Sequence, residues 1–171
     1  MKSDKRYDIY KALHMLGNMQ DVIQDTHGNV SAINEEGEVY IKPSGMEYQS
    51  IKVSDVCKFS SDGKQLFSHD GHFIFSERKP SVDTVHHRAI YNRRPNIKAI
   101  CHTHSPYATA YAYAGKNIRC LGTEQADFFG DDIYNLPYSD LNCWGEEAAK
   151  YIGGKPVTKA ILLNKIGRAH V

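Results

Sequence analysis

The chain has 171 residues, enough for one domain with a substantial core and too few for two of ordinary size. Hydrophobic residues at 41% and charged residues at 24% are the proportions of a globular protein rather than of a disordered solubiliser. Lys and Arg number 21 against 20 Asp and Glu, and the resulting charge of +1 excludes affinity built on a massed basic face, and bulk nucleic-acid binding with it.

The N-terminus lacks the uninterrupted apolar segment of a secretory signal. In chain order, Tyr10, Leu13, Leu16 and Ile23 at near-helical spacing predict an amphipathic helix over residues 4–23. Residues 26–29 read as a loop, and the apolar runs 30–33 and 39–41 around Asn34-Glu35-Glu36-Gly37 read as a hairpin. A second hairpin is expected from 53–59 and 65–67, with a further strand at 73–75. Ser81 is placed to cap a helix over 82–94 that ends at Pro95. A buried strand follows over 97–102, then a helix opened by Pro106 and running to 114, a short strand near Ile118, a helix over 146–152 stopped by Gly153-Gly154, and a strand over 159–163. This succession suggests an α/β or α+β layered domain. No stretch approaches the roughly 20 apolar residues of a membrane span. Cys57, Cys101, Cys120 and Cys143 lie far apart with no Cys-x-x-Cys pair, so reduced thiols are expected, in a cytoplasmic protein without nucleic-acid or membrane partners.

The sharpest chemical signal is Cys101-His102-Thr103-His104-Ser105 at a strand end. Residues i and i+2 of a strand leave the same face, so His102 and His104 point together and offer two ring nitrogens to one divalent ion, while Cys101 faces away. The competing reading is a pair of polar residues bonded to nearby loops. Asp83, near the start of the predicted helix, is either a partner of the helix dipole or a carboxylate that joins the histidines as ligand or base. Gly28-Asn29 before one strand and Lys42-Pro43-Ser44-Gly45 after another, with Ser81 at a helix start, suit an anion: free backbone N–H groups, hydroxyl donors and a compact positive charge. Each of these is also an ordinary turn. Asp127 reads as a carboxylate among aromatics or a surface Asp, His27, His86 and His87 are ambiguous, and Tyr107, Tyr111 and Tyr113 are expected in the core or in a subunit contact.

Five ordered segments together carry a resemblance: Gly28-Asn29-Val30-Ser31-Ala32, Ile41-Lys42-Pro43-Ser44-Gly45, Lys79-Pro80-Ser81-Val82-Asp83-Thr84, His102-Thr103-His104-Ser105-Pro106-Tyr107-Ala108-Thr109 and Ala126-Asp127-Phe128-Phe129-Gly130. Over residues 28–163 the chain resembles the class II aldolase/adducin family, and within it the L-ribulose-5-phosphate 4-epimerases. The resemblance implies a central, largely antiparallel sheet flanked by helices, and a fourfold homotetramer with the active site between subunits. It implies one Zn2+ per subunit, His102 and His104 matching two metal-binding histidines and Asp83 the acidic residue beside the metal. Asp127 matches the epimerases' acid/base aspartate. Gly28, Asn29, Lys42, Ser44, Gly45 and Ser81 fall in the segments that hold the substrate and its phosphate. The implied reaction interconverts L-ribulose 5-phosphate and D-xylulose 5-phosphate by retro-aldol cleavage and re-addition through an enediolate. Asp83 and Asp127 tilt the reading to the epimerases. The alternatives are a class II sugar-phosphate aldolase of the fuculose- or rhamnulose-phosphate kind, and a non-catalytic adducin-like interaction domain.

The pattern is departed from at several places. Val82 stands where the family has a second Ser, Gln125 stands where many epimerases have His, and the stretch 136–159 is short. Ile166-Gly167 stands where the family has His-Gly, whose His is the third zinc ligand, and His170 does not match that position. Residues 1–165 are therefore expected to form an incomplete class II aldolase/adducin-like domain. Residues 166–171 are expected to be a non-native tail, since they can be encoded by a common sequencing adapter read in frame.

Overall fold

The computed structural model describes residues 4–19, 21–23, 25–60, 78–136, 144–152 and 159–163, and the backbone of Arg168–His170. The chain divides into two compact units, Met1–Thr84 with Lys98–Cys101, and Val85–Ile97 with His102–Val171.

The first unit opens with α1 (Arg6–Gly17), whose Ile9 and Leu13 are buried. The helix stops at Gly17, short of residue 23, and Gly17 lies against Tyr48, where a Cβ would sit 2.4 Å from the Tyr48 Cβ. Ile23 is still buried, so its place in the apolar pattern records burial beyond the helix. Strands β1 (Asn29–Ile33) and β2 (Val39–Ile41) pair antiparallel with Ser31 opposite Ile41. Their turn is the one expected: Asn34 Oδ1 accepts the Glu38 N–H at 2.8 Å, and Gly37 takes a φ of +78° that favours glycine. β3 (Cys57–Phe59) adds antiparallel to β2. It is shorter than expected, because Val53–Asp55 forms a 3₁₀ turn in which the Asp55 carboxylate accepts the Lys52 N–H at 2.9 Å. The expected segments 65–67 and 73–75 lie outside the described residues. The order is β3-β2-β1, followed by β4 (Ala99–Thr103), whose first residues belong to this unit. α1 packs on the sheet, and Ile9, Leu13, Val30, Tyr40, Tyr48, Ile51 and Val56 form the core.

The second unit contains α2 (Thr84–Arg93), α3 (Pro106–Tyr113), α4 (Thr123–Phe129), β5 (Tyr134–Leu136), α5 (Trp144–Tyr151), β6 (Ile161–Leu163) and β7 (Arg168–His170). From the end of β4 the order is β4-β7-β6-β5, with only β5 and β6 parallel among these pairs. α2 begins two residues later than expected, since the Ser81 carbonyl closes a turn onto the Thr84 N–H at 3.1 Å and the Thr84 hydroxyl at 2.6 Å. α3 begins at Pro106 as expected, but its tyrosines are not core. Tyr107 is 83% exposed and Tyr113 64%, because the helix buries its small face, with Ala108 and Ala112 against Ile118, Ile133 and Leu162. The expected strand near Ile118 is a single antiparallel bridge to Ile133. α4 and β5 are additions to the expected elements. α5 starts at Trp144, whose ring stacks on His86 at 4.2 Å, and Gly145 is needed there because a Cβ would come within 2.6 Å of the His86 backbone. Helices on a largely antiparallel sheet are the layered class that the sequence suggested.

Candidate functional site

Three segments of the first unit, distant in sequence, are joined by hydrogen bonds. Gly28 turns at φ +80° and leads into Asn29, which is 1% exposed. The Asn29 side-chain amide donates to Ser81 Oγ at 3.0 Å and to Asp83 Oδ2 at 2.8 Å. The Ser81 N–H donates to the Lys42 carbonyl at 3.0 Å, the Ser44 N–H to the Lys79 carbonyl at 2.8 Å, and Pro43 and Pro80 form an antiparallel bridge. The predicted residues Gly28, Asn29, Lys42, Ser44, Gly45, Ser81 and Asp83 therefore lie in one neighbourhood. Asp83 is 3% exposed, and its own N–H donates to Ser81 Oγ at 3.3 Å, so the carboxylate has a set direction. Ser44 and Gly45 are exposed, and Gly45 has a φ of +70° with nothing within 4 Å of where a Cβ would stand. Conformation, not space, calls for glycine there. An exposed Ser-Gly turn beside a half-buried serine hydroxyl is a donor surface for an oxyanion. Val82, in the place of the family's second serine, is 71% exposed.

Lys42 differs from its neighbours in facing inward. It is 1% exposed, and its Nζ donates to the Thr26 carbonyl at 3.0 Å and the Pro43 carbonyl at 3.4 Å, 4.9 Å from the Tyr48 ring centroid. Burial pushes its ammonium down to about 8. Tyr48, which nothing in its local sequence marks out, is buried at 3% exposure and donates its hydroxyl to the His27 carbonyl at 2.8 Å. Only its contacts, made across 21 residues, draw attention to it.

In the second unit the rings of His102 and His104 stack with centroids 4.9 Å apart and planes at 29°, as the two-residue strand period predicts. Cys101 packs on the core of the first unit, and burial there raises its thiol to about 11. Two imidazoles side by side are a donor pair suited to zinc and fit two positions of a tetrahedral ion. Among the described residues no group of three or more His, Cys, Asp or Glu side chains is arranged to hold a metal ion. Residue 166, expected at the third-ligand position, lies outside them. Asp127 is exposed on α4 and makes no hydrogen bond or ion pair among the described residues. His86 and His87 pack against Trp144, at 4.2 Å stacked and 6.5 Å edge-on, which gives both a structural place. No helix among the described residues is long and apolar enough to cross a membrane.

Residues 7–169 match the family model described as Class II Aldolase and Adducin N-terminal domain. The L-ribulose-5-phosphate 4-epimerase UlaF of Salmonella paratyphi B (strain ATCC BAA-1250 / SPB7) is 47% identical over 109 residues, which are 63% of this chain and 44% of that protein. The same protein of Salmonella typhi gives the same figures. The match thus spans less than half the length of these curated relatives. Among solved structures, an L-fuculose 1-phosphate aldolase superposes with a TM-score of 0.80 at 25% identity, covering 99% of this chain and 76% of that one. An L-fuculose-1-phosphate aldolase from Thermus thermophilus gives a TM-score of 0.76 at 21% identity, covering 98% and 78%, a likeness of fold alone.

Proposed function

The chain belongs to the class II aldolase and adducin family, and on that premise we propose that it is a zinc-dependent epimerase interconverting L-ribulose 5-phosphate and D-xylulose 5-phosphate by retro-aldol cleavage and re-addition. The observation that carries this reading is the junction of Asn29, Ser81 and Asp83 beside the exposed Ser44-Gly45 turn. The 47% identity to the UlaF epimerases supports the choice of reaction.

The Ser44 and Ser81 hydroxyls and the Gly45 N–H hold the substrate phosphate. That grip keeps the cleaved aldehyde fragment in place long enough to present its other face, a positioning effect. Asn29 fixes the direction of the Asp83 carboxylate, which handles a proton next to the reacting carbons. Asp127 exchanges a proton with the C4 oxygen on one face as the C3–C4 bond breaks, and re-addition to the other face of the aldehyde inverts C4. His102 and His104 would hold a divalent ion, and Asp83 matches the family's acidic position. Such an ion supplies Lewis-acid stabilisation of the negative charge left on the ketose oxygens. On this reading the protein works in the cytoplasm as a homotetramer, and the exposed Tyr107, Tyr113 and Phe128 favour self-association.

A class II sugar-phosphate aldolase is the second reading, favoured by the 0.80 TM-score to an L-fuculose 1-phosphate aldolase. It needs the same groups without retention of the aldehyde. Incubating the zinc-supplied full-length protein with L-ribulose 5-phosphate separates the two. D-Xylulose 5-phosphate is the expected product, abolished by a chelator and by Asp83→Asn. Net accumulation of free aldehyde would transfer the assignment to the aldolases. A protein that takes up no zinc and turns over neither way would be an adducin-like interaction domain.

A further inference from the structure

We propose that Tyr48, with the Lys42 ammonium lying on its ring, is a positioning residue that sets the path of the loop carrying Gly28 and so the aim of Asn29. The inference rests on the reading of Asn29 as part of the substrate site. Two successive loop carbonyls are held from beneath by buried donors: that of Thr26 by Lys42 Nζ at 3.0 Å, and that of His27 by the Tyr48 hydroxyl at 2.8 Å. Fixing the direction of two consecutive carbonyls fixes the peptide planes between them, which leaves the turn at Gly28, with its φ of +80°, as the one way into β1. Asn29 then arrives with its amide 2.8 Å from Asp83 and 3.0 Å from Ser81.

The two donors also hold each other. The ammonium sits 4.9 Å from the Tyr48 ring centroid, a cation–π contact that is strongest where water is excluded, and both residues are at most 3% exposed. Tyr48 cannot back away, since Gly17 of α1 touches its Cβ so closely that even a methyl group at position 17 would not fit. Among the described residues no carboxylate is hydrogen-bonded to Lys42, so its charge is spent on backbone carbonyls. A lysine kept buried at that cost is explained if the loop it holds must not move.

The test compares the full 171-residue chain with Tyr48→Phe, which keeps the ring and removes the hydroxyl, and with Lys42→Met, which removes the second donor. Hydrogen exchange of the Asn29 side-chain amide is followed by NMR, beside the backbone amides of α1 as a control, and inorganic phosphate is titrated as the anion probe. Tyr48→Phe is expected to speed exchange at Asn29 roughly five- to tenfold, with α1 unchanged, and to weaken phosphate binding by a similar factor. Lys42→Met should loosen the same amide. Unchanged Asn29 exchange in either folded variant would overturn the proposal, as would acceleration spread equally over α1, the mark of a general packing residue. A parent chain that binds no phosphate would count against the substrate reading alone, because the exchange comparison still decides whether the clamp exists.

Discussion

The β1–β2 hairpin meets a buried lysine at each end, Lys58 of β3 beside its turn and Lys42 after β2, and the two are treated in opposite ways. At the turn end Lys58 donates to Glu38 at 2.9 Å, and the same carboxylate accepts from Asn34 at 2.7 Å and from the Tyr40 hydroxyl at 3.1 Å. Burial alone would raise the Glu38 carboxyl, but the hydrogen bonds from Lys58 and Asn34 bring it below the ordinary carboxylate range. At the other end Lys42 has two backbone carbonyls and an aromatic face in place of a carboxylate. The first arrangement is closed, every group answered from within. The second leaves a net charge inside the protein next to an exposed Ser-Gly turn and the buried Asn29–Asp83 bond. Such a contrast separates a lock from a support: one end of the hairpin is built for stability, the other to hold a loop where a ligand is expected.

The support end is broken most severely through its backing. Gly17→Ala forces a methyl group against Tyr48 and is expected to cost about 3 kcal/mol or more, read as a lowered urea midpoint. Next in size is the pH dependence of Lys42→Met. Folded Lys42 releases its proton near pH 8, while the unfolded chain keeps it to about 10.5, so the unfolded state binds more protons between those limits and stability rises with pH there. Parent stability relative to Lys42→Met should therefore climb by about 2–3 kcal/mol from pH 8 to 10.5. Tyr48 and Cys101, both raised by burial, are common to the two proteins and cancel. A flat difference would mean that Lys42 is not desolvated. Smallest is Glu38→Gln at the closed end, expected to cost about 1–2 kcal/mol at neutral pH. Glu38 has its folded value below its unfolded one, so its contribution is present above the ordinary carboxylate range and lost as acid titrates it. Acid unfolding of Glu38→Gln should accordingly be the less steep, measured by circular dichroism.

Much of the site is legible from residues alone because its chemistry is local. His102 and His104 stack because alternate strand residues share a face, and the 34–37 turn forms because Asn34 bonds across it and Gly37 accepts a positive φ. Other expectations fail or narrow, two of those below because apolar spacing reports burial without saying what covers it. Ile23 extends the expected opening helix past Gly17, yet it is buried outside that helix. The α3 tyrosines are expected in the core or in a subunit contact, and they are not in this chain's core, where the alanines between them make the contact. Ser81 is expected as a helix cap, and its hydroxyl instead serves Asn29 and the Asp83 N–H, partners that only the fold brings to it.

Composition, the two-residue strand period and the Gly-bearing turns determined that this chain is a layered domain with a pair of imidazoles on one side of a strand and a set of anion-suited turns. Tertiary structure decided that Asn29 meets an aspartate 54 residues away, that Lys58 is neutralised and Lys42 is not, and that an unremarked tyrosine underlies the Gly28 loop. Periodicity encodes which way a side chain faces. The group it finds there is chosen only when distant segments are buried together and each polar atom must take its partner from whatever the fold has brought within about 3 Å.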